Sequence, residues 1–239
     1  MTVVIHSGPV KRRRIKVTPL RILIVLAVVA AVVIGGGSWL MRNWAPDRAR
    51  YPMQGLTVSA ASGEIHWPSV KTAGPDFAYL LASIGSARRD PAFTTNLAGV
   101  KAANMGYGAI HRYALCTNAT AQATTFIATV PRDADMLPPV VTLDNLEGCA
   151  PPSRDKLLAE LNIFLNQIET HSSKPAILRV SREVEQAYDL SADINRTLWL
   201  EGDFFAPDYA TRPWVMWSAS TWRRVPGIEG PVEWDVVRP

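Results

Sequence analysis

Two segments of the chain place carboxylates where chemistry is possible. In LPPVVTLDNLEGC (137–149) an apolar, strand-like run ends on Asp144, and Glu147 and Cys149 follow in a glycine-containing loop. In PVEWDVV (231–237) Glu233 and Asp235 stand two positions apart. Side chains two apart on a strand share a face, so Thr142 goes with Asp144 and Glu233 with Asp235. A carboxylate at a strand end can act as a general acid or base over a cleft. It can equally be a hydrogen-bonded strand terminus, and both readings stand at this point. His111, within GAIHRYAL (108–115), is either a cleft residue or a satisfied core histidine. Two cysteines and four histidines without a cluster point to no metal site, and no cofactor is expected.

The elements that must position these residues alternate. Strands are expected over 55–60, 77–83, 108–115, 138–144 and 174–181, and again in TLWLEG, WVMWSAS and PVEWDVV. Between them, Asp90-Pro91 reads as a helix start, with Asp90 as N-cap and Gly106 able to close the segment. Residues 118–129 read as a second helix. Ser153 caps a third, on which Leu157, Leu161, Phe164, Leu165 and Ile168 form one apolar face. Ser181 caps a short fourth. Strand followed by helix, repeated, argues for parallel strands. About eight strands in one domain give an α/β fold, a (β/α) barrel with its last helices reduced.

Residues 22–41 (ILIVLAVVAAVVIGGGSWLM) carry no charge. Twenty residues of helix span roughly 30 Å, the thickness of a bilayer's hydrocarbon core. KRRRIK precedes the run, and only scattered Arg42, Arg48 and Arg50 follow it. The excess of basic residues on the N-terminal side puts that side in the cytoplasm and the bulk of the chain outside. Trp39 and Trp44 suit the far interface. A cleaved signal peptide is the rival reading, although GGGSWLM offers no clear small-x-small site. The expected organisation is a basic cytoplasmic segment (1–20), a transmembrane anchor (21–42), a linker (43–52) and a barrel domain (53–239).

The formal charge of +4 is unevenly placed. Residues 1–50 hold nine basic residues and one acid, leaving sixteen basic and twenty acidic residues in the remainder. That remainder has the wrong sign for binding nucleic acid. Cys116 and Cys149 both lie in the exported part, where an oxidising compartment allows a disulfide. The alternative is two buried free thiols.

Five segments resemble glycoside hydrolase family 25, the muramidase-type lysozymes. GLTVSAASGEIHWPSV is similar to GxDVSxxQGxIDWxxV, and FAYLLASIGSARRDPAFTTN to FxFIKATEGxxxxDPxFxxN. GYGAIHRYALC resembles GxxxGAYHFxxxC, LPPVVTLDNLEGC resembles LPPxLDxExxxxC, and VPGIEGPVEWDVV resembles VPGIxGxVDxNxF. The resemblance covers nearly all of 53–239 and implies an irregular (β/α) barrel with an acid-lined groove at the C-terminal strand ends. It implies Asp144 at the position of the general acid and Glu233 at that of the last-strand aspartate. The first-strand aspartate falls on Thr57 and the first acid of the DxE motif on Thr142. The family's Lys, Glu and Tyr of the second and third segments fall on Leu81, Ile84 and Ile110. The residues after the late tryptophan fall on Ser218 and Ala219.

The resemblance therefore implies a catalytic pair, Asp144 and Glu233, with Thr57, His111, Thr142, Trp217 and Asp235 around the substrate. The implied ligand is peptidoglycan or a related glycan, met on the outer side of a bacterial plasma membrane. Among the tryptophans, Trp222 and Trp234 are the expected exposed ones. Two functions remain open: an anchored glycosidase, or a degenerate relative that binds glycan or supports an envelope complex without cutting.

Overall fold

The structure is a computed structural model that describes residues 19–144 and 150–239. The chain divides into two units, Met1–Leu40 and Met41–Pro239. The uncharged run forms one helix, α1 (Pro19–Asn43), with no buried residue. It is long and apolar enough to cross a membrane.

In the second unit, β1 (Gln54–Val58) leads through a 3₁₀ turn at Ala60–Ser62 to α2 (Trp67–Thr72). Then come β2 (Phe77–Ile84), the short β3 (Arg88–Arg89), α3 (Phe93–Ala102), β4 (Gly106–Arg112) and α4 (Ala119–Ile127). β5 (Val140–Leu143), α5 (Arg154–Ser172), β6 (Ile177–Val180), α6 (Arg182–Tyr188) and α7 (Leu190–Asp193) follow. The chain finishes on β7 (Thr197–Glu201), β8 (Met216–Ser220) and β9 (Glu233–Val237). The sheet runs β1-β9-β8-β7-β6-β5-β4-β2, and β1 pairs with β2 to close the ring; β3 hangs on β2 as a hairpin.

Parallel pairing holds from β1 through β2 and β4 to β8, as the alternation predicts. The last strand departs from it: β9 is antiparallel to both neighbours. No helix lies between β8 and β9, and without a crossover the chain can only return in the opposite direction. This reversal brings the start of β9, with Glu233, to the same end as the C-terminal ends of the parallel strands.

The interior is filled by Phe77, Tyr79, Ile110, Val140, Ile177, Trp199 and Met216. Gly55 and Gly108 make room for it, because a Cβ on either would lie 2.3 or 2.2 Å from the ring of Phe77 or Tyr79 respectively. A larger cluster lies between the strands and the helices, with Leu161, Phe164 and Ile168 of α5 facing Val141, Leu143 and Leu178. The caps are as expected at Ser153 and Ser181, whose hydroxyls accept from the backbone amides of Lys156 and Val184.

Three local expectations are corrected. Asp90 does not cap α3; its carboxylate accepts from Ala92 N and reaches across to Ala60 N, tying the β1 loop down. α3 ends at Ala102, with Asn104 taking the left-handed turn at φ 51°, and Gly106 opens β4 instead. Residues 43–52 are not a free linker. Pro46 and Tyr51 are buried, both carbonyls accept from Gln54 Nε2, and Tyr51 packs edge-on against Trp217. Tyr51 joins the core cluster, and Trp44 and Ala45 pack against it.

Candidate active site

The C-terminal strand ends enclose a cavity of about 290 Å³, near the lower limit of small-molecule sites, roughly 300 Å³. Thr57, Leu81, Ile110, Arg112, Thr142, Asp144, Arg179 and Glu233 line it, and Val58, Ser59, Ala61, Ser62, Thr221, Pro231 and Val232 contribute its rim. The strand alternation that buries Phe77, Ile110, Val140, Ile177 and Trp199 inside the barrel brings these residues up around the mouth. Asp144 and Glu233 therefore do meet over one hollow, with Thr57 and Thr142 beside them.

Neither carboxylate stands alone. Arg112 Nε donates to Asp144 Oδ2 at 3.0 Å, and both side chains remain partly open to solvent. Arg179 is a deeper cation, with only 7% of its side chain exposed. Its Nε donates to Glu201 Oε1 at 2.9 Å and its Nη2 to Glu233 Oε2. Its guanidinium also lies 5.1 Å from the ring centre of Trp199. Burial opposes its charge, but Glu233, Glu201 and Asp235 outweigh that and hold it firmly protonated. Burial pushes the Glu201 carboxyl above its ordinary range, and the ion pair with Arg179 works against the rise.

Asp235 lies beneath the mouth rather than in it. It is fully buried, accepting from Thr57 Oγ1 at 2.8 Å and Ser218 Oγ at 2.9 Å. Trp199 Nε1 in turn donates to Ser218 Oγ at 2.8 Å. Burial and the charge of Glu233 push the Asp235 carboxyl well up, against the pull of Arg179 and the two hydroxyls. Its expected role as a substrate contact is corrected to support of Thr57. Thr142 Oγ1 is buried at the cavity wall without a hydrogen-bond partner among the described residues.

Two further expectations are corrected. His111 points out of the barrel, fully buried between β4 and the helices. Its ring nitrogens meet Ser83 Oγ at 2.8 Å and Gln122 Oε1 at 3.2 Å, and the ring packs on Phe164. Burial lowers its pKa to about 4. Trp217 also faces outward, packed with Trp44, Tyr51 and Trp214, with its Nε1 donating to Gly202 O. Neighbours in sequence to inward residues, these two necessarily point the other way. Of the tryptophans expected at the surface, Trp222 is exposed but Trp234 is buried, donating to Gln54 Oε1 beneath Arg223. Glu147 and Cys149 lie outside the described residues, while Cys116 does not stand as a free thiol.

Arg112, Arg179 and Glu201 are the mouth residues that sequence reasoning missed. The signal was present: an arginine at the inward position of the apolar run AILRV, and a glutamate two positions after the inward Trp199.

With this geometry in view, the comparisons are specific. The family model for "Glycosyl hydrolases family 25" matches residues 56–228. The chain belongs to glycosyl hydrolases family 25. A family 25 glycosyl hydrolase structure from Bacillus anthracis superposes with a TM-score of 0.74 at 26% identity, covering 82% of this chain and 92% of that one. A bacterial lysozyme from Streptomyces coelicolor does so with a TM-score of 0.71 at 25% identity, covering 78% and 92%. Lysozyme M1 of Streptomyces globisporus is 27% identical over 76% of this chain and 66% of its own length. In this family 25 member the barrel mouth thus holds Asp144 and Glu233, each joined to an arginine.

Proposed function

We propose that this protein is a lysozyme-like hydrolase directed at bacterial peptidoglycan, cutting at N-acetylmuramic acid and turning over slowly. The observation that carries this reading is the convergence of Asp144 and Glu233 on one cavity in a family 25 barrel. Asp144 is the proton donor to the leaving oxygen, and Glu233 is the second carboxylate facing the developing positive carbon. Thr57 and Thr142 line the sugar site, and the unpartnered Thr142 hydroxyl is available to a sugar group. In this reading α1 is an anchor through residues 22–41, with the N-terminus cytoplasmic and the barrel outside the plasma membrane.

The slow rate follows from what replaces the family's acids. Aspartate at 144 is one methylene shorter than glutamate, and a displacement of about 1 Å can cost ~10²-fold. A lost stabilising charge at Thr142 costs a further ~10²–10³-fold by comparison with other electrostatic deletions. A second reading, glycan binding without cleavage, is favoured by the two arginines, which occupy the charges that catalysis requires.

The test is to incubate the detergent-solubilised full chain with purified peptidoglycan and measure new reducing ends. Turnover that disappears in Asp144→Ala supports the hydrolase. Co-sedimentation with peptidoglycan but no reducing ends, with turnover appearing in Thr142→Asp/Asp144→Glu, replaces it with the binding reading. Neither turnover nor co-sedimentation refutes both.

A further inference from the structure

The largest exposed aromatic side chains of the second unit gather on two loops at the mouth end of the barrel. Phe205, after β7, is 81% exposed, and Trp222, after β8, is 52% exposed. The first loop is pinned to the second and to β8: Asp203 Oδ1 accepts from Thr221 N at 2.7 Å, and Phe204 N donates to Ala219 O of β8 at 2.8 Å. Two aromatic rings held in solvent on a braced support are costly to leave uncovered.

Cations adjoin them. Arg224 N donates to Arg42 O at 2.9 Å, and Arg223 Nη1 donates to Asn43 O at 3.0 Å. Arg48 lies close enough to Arg223 to repel it, and that repulsion adds to burial in lowering the Arg223 pKa. Acids lie nearby as well: Asp203 accepts from Thr221, Asp47 accepts from Ala49 N, and Asp76 pairs with Arg48 at 3.0 Å. Exposed Arg42 and Arg224 flank the aromatic pair. It also lies where the chain emerges, because residues 42 and 43 follow directly on the apolar run that ends at 41. Aromatic rings with flanking arginines are the composition that seats at a lipid headgroup layer.

We propose that the loops after β7 and β8 form a contact surface for an anionic lipid bilayer, with Phe205 and Trp222 entering the headgroup layer and Arg42 and Arg224 meeting lipid phosphates. This rests on the reading of α1 as an anchor. The short tether from residue 41 keeps the surface at high effective concentration beside the membrane. Thr221 lines the mouth cavity and precedes Trp222, so the docked surface holds the mouth at the bilayer side. Glycan reaching the cavity would then be glycan lying close to the membrane.

The experiment reconstitutes the full chain into lipid nanodiscs of phosphatidylcholine with or without phosphatidylglycerol and follows hydrogen exchange in 203–206 and 221–224. Incorporation into discs reads the anchor; exchange in the two loops reads the surface. The expected result is slower exchange in phosphatidylglycerol discs than in phosphatidylcholine discs, reversed by high salt. Phe205→Ser/Trp222→Ser is expected to abolish the difference, with unchanged exchange in the barrel strands as the check on folding. Arg42→Gln is expected to weaken protection about fivefold, the equivalent of roughly 1 kcal/mol per cation at an anionic surface. Incorporation with equal loop exchange in the two kinds of disc overturns the surface and leaves the anchor standing. A chain that does not incorporate overturns both.

Discussion

Replacing Arg179 by methionine isolates the cation that organises the mouth. Arg179 is nearly buried and joins Glu201 to Glu233, and Asp235 also feels its charge. Methionine keeps the stem over Trp199 and removes the charge. Removing one partner of a fully buried pair costs about 3–5 kcal/mol. Glu201 and Glu233 are each about a quarter exposed, so solvent screening reduces this to roughly 2–3 kcal/mol. In a unit of this size that lowers Tm by about 4–12 °C near neutral pH. The sign of the pH dependence is specific. Glu201 already sits above its ordinary range. Without Arg179, the acids at the mouth ionise against burial and against each other. A carboxyl raised in the folded state contributes stability below its unfolded pKa and loses it as pH rises through the folded value. The variant is therefore penalised most at neutral to alkaline pH. In acid the carboxyls are protonated, and it is the parent that then holds an unpaired buried guanidinium. Thermal unfolding of Arg179→Met and the parent, followed by circular dichroism from neutral pH through the carboxylate range, should show the deficit shrinking as pH falls. A deficit that is the same at every pH would show a packing defect and refute the electrostatic account.

Three other outcomes are expected. Because the folded-state pKa of His111 is lowered to about 4 from an unfolded value near 6.5, its neutral form contributes up to ~3 kcal/mol above that value. This contribution is lost as pH falls from about 6.5 toward 4, and unfolding of His111→Gln should lack the corresponding slope. Gly108→Ala would place a Cβ 2.2 Å from Tyr79 Cε1, a ring held by its hydroxyl to Pro138 O. Overpacking of about 1–3 kcal/mol is expected by urea denaturation, and Tyr79→Leu in the same background should recover part of it. Ser153→Ala removes the N-cap of α5 and should cost about 1 kcal/mol without altering peptidoglycan binding.

The strand and helix order was legible because each buried strand carries its own apolar run between turn residues, and the caps at Ser153 and Ser181 announce their helices directly. The reversal of β9 was less so: PVEWDVV has the same inward-outward pattern in either direction, and only the lack of a preceding helix hints at the turn. At the site, the family resemblance set Asp144 and Glu233 together; strand parity alone groups Thr142 with Asp144 and Glu233 with Asp235, and the reversal of β9 is what brings the two groups to one end. His111 and Trp217 were set around the substrate by the resemblance, whereas strand parity, with Ile110 and Met216 facing inward, turns both outward. Arg179 and Glu201 escaped for the opposite reason, since a charge inside an apolar strand reveals its partner only once β6, β7 and β9 are brought to one mouth. Trp234 shows the same limit, its burial depending on Gln54, far away in sequence.

The two ion pairs at the mouth differ in a way that separates the roles of the carboxylates. The Arg112–Asp144 pair is open to solvent, with 46% and 21% of the side chains exposed, and such a pair contributes about 0–1 kcal/mol. In the proposed hydrolase, a sugar entering the cavity would displace Arg112 for little, leaving the Asp144 carboxyl free to exchange a proton. Arg179 cannot be displaced so easily, because it is buried and held by two carboxylates and an aromatic ring. In that reading Glu233 would meet a substrate with its charge already shared by Arg179. A positive carbon forming nearby would compete with a fixed guanidinium for the same oxygen atoms, and transition-state stabilisation is reduced accordingly. The restored acids of Thr142→Asp/Asp144→Glu should therefore raise turnover by acting opposite the locked pair.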